Sequence, residues 1–368
     1  MRSRPVPGRG WRRPAWAALV TSAAASLLVA SGLAIADPKP DTSGLVVEPI
    51  DIDARPLAGF DRLDATRTRF GRLEWRGGLV LTSPAQIFGG WSGLAIGADG
   101  RRFVAVSDAG AWMTGELTYE GARPTGMTNA KTGPLLASGA GSLKRERDRD
   151  AEAIALLDGT VSRGRLLIAF ERNHRIGRFE VGERGLAAPQ EYIKLPAEAR
   201  RLKGSLGFEA MAVLRGGPQK GSVVAISERF IDGNGHHSGW LLGRGEPQRF
   251  AITDIGGFDV TDAAGLPDGA LLVLERRFRW LEGVKMRLRL LRPWEVGPGT
   301  IAAGEVLLEA DMGQEIDNME ALGVHTGARG ETVITLLSDD NFNSFLQRTV
   351  LLQFALASES HARTPDAR

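Results

Sequence analysis

Three pairs of acids recur along the chain with one spacing. Glu152 and Glu171, Glu209 and Glu228, and Glu320 and Asp339 each stand 19 residues apart. The first acid of each pair opens a short apolar run, the second closes another, and a glycine-containing loop lies between them. Ser92 with Asp108 and Asp262 with Glu275 are looser copies of the same pattern. In an antiparallel hairpin the start of one strand and the end of the next lie at the same end. The copies therefore send nine carboxylates to one face. Carboxylates crowded this way repel and hold protons unless something compensates them. Arg172, Arg229 and Arg276 directly follow the second acid in three copies, with Arg277 beside the last. A hard divalent cation is the other compensation, and Ca²⁺ is the usual choice for Asp, Glu and Asn oxygens outside the cell.

This pattern selects candidate residues. Glu152, Glu209, Asp317, Asn318, Glu320, Asp339 and Asp340 are candidate cation ligands. Arg172, Arg229 and Arg276 are candidate binders of a phosphate or other anionic ester. Glu152, Glu209, Glu320 and His174 are the acid–base candidates, His174 because it follows Glu171-Arg172 onto the same face. The chemistry this set suits is hydrolysis by a metal-bound water, with arginine neutralising the charge that develops. The same acids and arginines also suit a purely structural role, tying one repeat to the next. His236, His237, His325 and His361 show no zinc-ligand spacing, and the chain has no cysteine. No nucleophile elbow, P-loop or dinucleotide fingerprint is present. Basic residues are scattered among acids without a stripe for nucleic acid.

The elements that position these residues are short strands. Copies of the hairpin occupy residues 91–110, 148–173, 207–230, 261–278 and 317–341, and their leading polar residues are 60, 57, 53 and 58 apart. The intervening residues leave room for two more strands per copy, which makes each unit a four-stranded propeller blade. Residues 37–368 number 332, and division by six gives about 55 per blade. The expectation is an all-β propeller of six four-stranded blades, with five or seven as alternatives. The sixth blade would join strands near residues 69–83 to the closing run 348–355, so that no sheet edge stays open. An ordinary sandwich explains the alternation but not the period. Residues 196–202 suit a short helical insertion.

Outside the repeat, residues 1–36 carry five arginines, then an apolar run, then Ala34-Ile35-Ala36, the pattern of a signal peptide cleaved near Ala36. An uncleaved membrane anchor is the alternative, and the only membrane contact expected. Removal takes the net charge from +2 to 2 − 5 = −3, so the basic precursor gives no argument for nucleic-acid binding. A periplasmic or secreted location follows. Residues 37–61 are expected as a flexible tether, 62–356 as the propeller domain and 357–368 as a disordered tail.

The segments WSGLAIGADGRRFVAVSD, DAEAIALL with LLIAFERNHRIGRF, ALLVLERRF, and DNMEALGV with TLLSDDNFN and QRTVLLQFAL resemble the phytase-like domain, the "esterase-like activity of phytase" family. The likeness runs from about residue 89 to 355. It implies a propeller, export across the inner membrane, and hydrolysis of a small phosphoester or ester. A non-catalytic propeller binding a ligand or protein in the periplasm is the alternative.

Overall fold

A computed structural model describes residues 39–202, 207–243 and 245–357. The expected signal segment and the tail beyond residue 357 lie outside the described residues. No helix among the described residues is long and apolar enough to cross a membrane.

The described residues form five sheets arranged as the blades of one propeller, antiparallel throughout except where Gln248–Thr253 pairs in parallel with Ile301–Ala302. The inner strands are Trp91–Ile96, Ala151–Thr160, Phe208–Val213, Asp259–Gly265 and Asn318–Thr326. Each packs against the next, and the fifth packs against the first, which closes the ring. Two observations fix the count at five rather than the expected six. The N-terminal strand Leu73–Thr82 pairs with the C-terminal strand Thr349–Leu356, and that sheet continues into Thr332–Asp339 and Asn318–Thr326. The termini thus complete the blade of the fifth repeat instead of building a sixth. The buried apolar residues also fall into five clusters, one at each blade–blade interface. Division by chain length misled because it counted residues ahead of Leu73. Residues 73–356 number 284, and 284 over five is about 57, matching the repeat spacing.

Apolar runs at the centre of each blade follow from burial on both faces. In Arg163–Phe170, Leu166, Ile168 and Phe170 pack toward the first blade, whereas Leu167 and Ala169 pack toward the third. The period of two thus feeds two interfaces at once.

Residues 39–61, expected as a tether, lie against the propeller. Glu48–Pro49 pairs with the outer strand of the first blade, and Asp53–Pro56 pairs with Leu79–Thr82 at the edge of the fifth. The helical insertion near residue 196 is a short 3₁₀ turn, Ala197–Arg201. One further helical turn, Glu146–Arg149, leads into the second blade.

Candidate functional site

Each inner strand carries a β-bulge near its start. The extra residues are Ser92, Glu152, Glu209, Thr261 and Glu320. A bulge breaks the ladder and re-aims the side chain of its extra residue. Here it brings Glu152, Glu209 and Glu320 within reach of one another's charge, whereas the Ser92 hydroxyl donates to the Gly90 carbonyl and that of Thr261 to the Met319 carbonyl of the next blade. The neighbouring second strands contribute Asp108, Glu171, Glu228, Arg276 and Asp339 at the equivalent level.

The fourth blade departs from the sequence alignment by one residue. Its bulge residue is Thr261, not Asp262, and its second-strand position is Arg276, not Glu275. A one-residue slip sends a strand side chain to the opposite face. Asp262 is buried and accepts N–H bonds from Leu322 (2.7 Å) and Ala263 (2.8 Å), stitching inner strands together. Burial pushes its pKa well above the carboxylate range, against the pull of those bonds. Glu275 turns into the blade, where Arg289 Nη1 lies 3.1 Å and Arg287 Nη1 3.6 Å from its carboxylate. The ring therefore holds seven of the nine expected acids, and an arginine replaces one of the others.

Its members interact closely. Carboxylate oxygens of Asp150, Glu152 and Glu171 lie within 4.8 Å of one another, as do those of Glu171, Glu209 and Glu228. Glu171 belongs to both groups. It also accepts the Gly207 N–H at 3.1 Å, and burial raises its pKa against the pull of that bond. Burial, then mutual repulsion, pushes Glu152 and Glu209 well above the ordinary range. Asp339 rises for the same reasons, with Glu320 and Asp108 as its neighbours. Burial lifts Asp108 to about 7 despite Lys39, and Glu228 to about 7 despite Arg229.

The compensating cations are placed unevenly. Arg276 Nη2 lies 3.4 Å from Glu320 and 4.0 Å from Glu228. Arg172 reaches outward, its Nε 2.7 Å from Asp150 and its Nη1 2.8 Å from Glu146. Arg229 pairs with Asp259 and lies 3.7 Å from Glu228. Lys39, from the segment ahead of the propeller, places Nζ 2.6 Å from Asp150 and 2.9 Å from Asp108.

The remaining candidates divide. Glu152, Glu209, Glu320 and Asp339 come together in the ring, and Asn318 donates to Glu320 Oε1 at 2.8 Å. Asp317 and Asp340 serve the backbone instead. Asp317 accepts the N–H groups of Asn318 and Arg348 (3.0 and 3.2 Å). Asp340 accepts those of Gly90 and Phe342 and the Thr349 hydroxyl (3.2, 3.0 and 3.0 Å). His174 sits beside Glu171, both flanking Gly207. Burial lowers its pKa. Sequence reasoning named neither Asp150 nor Lys39. Asp150 carried a signal, an acid two residues before a ring glutamate, whereas Lys39 carried none.

All donors in the two carboxylate groups are hard oxygens, which fit Ca²⁺ and exclude a preference for soft metals. The sequence matches the phytase-like family, described as esterase-like activity of phytase, over residues 86–342. The chain belongs to that family. The match spans all five bulges and every acid of the ring, so the ring lies wholly within the phytase-like region. No curated protein matches the chain. Among solved structures it is similar to one titled "Structure of Dos1 propeller", with a TM-score of 0.36 and 10% identity over 79% of this chain and 75% of that one. That likeness is too slight to carry an argument.

Proposed function

We propose that the phytase-like ring takes up a hard divalent cation, Ca²⁺ in an exported protein, and hydrolyses a small phosphoester or ester at the channel mouth. The observation that carries this reading is the double carboxylate group centred on Glu171. Glu152, Glu171, Glu209 and Glu228 are raised by burial and then by neighbouring carboxylates, and a divalent cation would offset that repulsion. Glu171, Glu209 and Glu228 would hold the cation, with Asp150 and Glu152 adjoining. When bound, it would lower the pKa of a coordinated water and offset phosphate charge. Arg172 and Arg229, partly exposed beside the ring, would orient an anionic ester. The Glu171–Glu209 pair would hold or release a proton beside it. Export, by a signal cleaved near Ala36 into the periplasm or medium, belongs to the same reading.

A specific observation favours a second reading. Arg276 links the third, fourth and fifth blades through Glu228 and Glu320, as a structural tie would. The propeller would then be a non-catalytic binder. Metal analysis of the purified protein, followed by turnover on a panel of phosphoesters and carboxylic esters with Ca²⁺ or chelator, separates the two. Turnover lost in chelator and in Glu209→Gln supports hydrolysis. Absence of turnover on every ester in both conditions ends that reading.

A further inference from the structure

Lys39 belongs to no blade, yet its ammonium lies among the ring acids. It bridges Asp150 and Asp108 at 2.6 and 2.9 Å, and both carboxylates are almost wholly buried. The residues after it hold it there. Asp41 Oδ1 is 2.9 Å from Arg149 Nη1. Thr42 is buried and donates to the Ala109 carbonyl at 3.2 Å. Ser142 donates to the Ser43 carbonyl at 3.0 Å. The stem of Arg149 packs on Gly110, whose φ of +83° and contact with Arg149 leave no room for a Cβ. Pro40 forms one wall of a 660 Å³ cleft that also includes Ser83, Phe88, Asp340 and Phe342.

The ring is thereby split into two ends. At the Asp108–Asp150–Glu152 end a primary ammonium from a separate segment fills the position a free cation would take. At the Glu171–Glu209–Glu228 end no such ammonium intrudes among the described residues, and Arg229 and Arg276 stand 3.7 and 4.0 Å from Glu228. We infer that Lys39 is a tethered competitor, and that Asp108, Asp150 and Glu152 form a second divalent-cation site that opens when the N-terminal segment lifts away. The idea rests on the cation reading of the ring. It makes the N-terminal segment the element that sets how many cations the ring takes up. With cleavage near Ala36, Lys39 stands third in the released chain. Its hold then depends on its own two ion pairs and on the contacts of residues 40–43, the Pro40 carbonyl accepting from Arg149 Nη1 at 3.4 Å.

The test is calorimetric titration of Ca²⁺ into the full-length mature protein at fixed pH, comparing wild type, Lys39→Ala, Lys39→Arg and Asp41→Ala. Lys39→Ala removes the ammonium and is expected to add a bound Ca²⁺ or tighten uptake at least tenfold. Lys39→Arg keeps a cation and is expected to titrate as wild type. Asp41→Ala loosens the strap without touching the ring, so it is expected to tighten uptake by a smaller factor and keeps the idea testable should Lys39→Ala fail to fold. Wild type and Lys39→Ala binding Ca²⁺ with equal stoichiometry and affinity would overturn the competitor role and leave the cation reading standing. Binding by Lys39→Ala but not by wild type would support the competitor role and restrict the cation reading to the opened ring. Absence of binding in all four proteins would overturn both.

Discussion

Glu228→Gln provides the most direct reading of the ring's charge state. Burial raises Glu228 from 4.5 to about 7, opposed by Arg229 and Arg276 and assisted by Asp259 and Glu171. The folded protein thus holds a proton across pH 5–6.5 that the unfolded chain has already lost. A carboxyl raised on folding stabilises below its unfolded pKa, and that stability is lost as pH climbs through the folded value. Each such proton tilts stability by about 1.4 kcal/mol per pH unit, falling as pH rises. Asp108, raised from 3.8 to about 7, adds a second tilt of the same sign. His174, His237 and His325 act in the opposite direction, because burial lowers their pKa values and the unfolded chain gains their protons below about 6.5. Their share cancels when wild type and variant are compared. Urea unfolding in chelator at pH 5, 6, 7 and 8 should therefore show a slope in wild type more negative than in Glu228→Gln by about 1 kcal/mol per pH unit between pH 5 and 7. Equal slopes in the two proteins would refute a ring that holds a proton at Glu228. Excess Ca²⁺ at pH 7.5 should stabilise wild type by about 2.7 kcal/mol at a hundred times Kd, and Glu228→Gln by less.

Three further outcomes follow from the same geometry. Arg276→Met leaves Glu228 and Glu320 without their shared cation, so stability in chelator at pH 8 should fall by about 3–5 kcal/mol, with part of the loss restored by Ca²⁺. Arg289→Met breaks a fully buried pair with Glu275 and should cost a similar ~3–5 kcal/mol, but with no recovery in Ca²⁺, since Glu275 lies off the ring. Asp262→Asn should lower the free energy of unfolding by about 1–3 kcal/mol while leaving Ca²⁺ uptake unchanged, because its oxygens serve backbone N–H groups. Altered Ca²⁺ uptake in that variant would place Asp262 in the ring after all.

Much of the architecture is legible in the residue order. The all-β class, the recurring hairpin and the convergence of acids on one face all follow from local patterning. A period of two and the glycine loops are written within each copy. The 19-residue spacing of Glu152–Glu171, Glu209–Glu228 and Glu320–Asp339 survives in the structure because all three blades bulge at the same place.

Tertiary structure decided the rest. In the fourth blade Thr261 and Asp262, like Glu275 and Arg276, are adjacent, so a polar-residue alignment cannot tell which of each pair the bulge turns inward. The blade number depended on where two strands 276 residues apart in sequence meet, Leu73 opening one and Thr349 the other (349 − 73 = 276). Asp317 and Asp340 carry the side chains of ligands, but backbone N–H groups nearby use their oxygens first. Lys39 was invisible for the plainest reason. Its partner Asp150 is 111 residues away, and no local rule of spacing reaches that far. A ring of acids can be read from repeats, because each repeat carries its own share. The cation that enters the ring from outside the repeat is known only once the chain has closed around it.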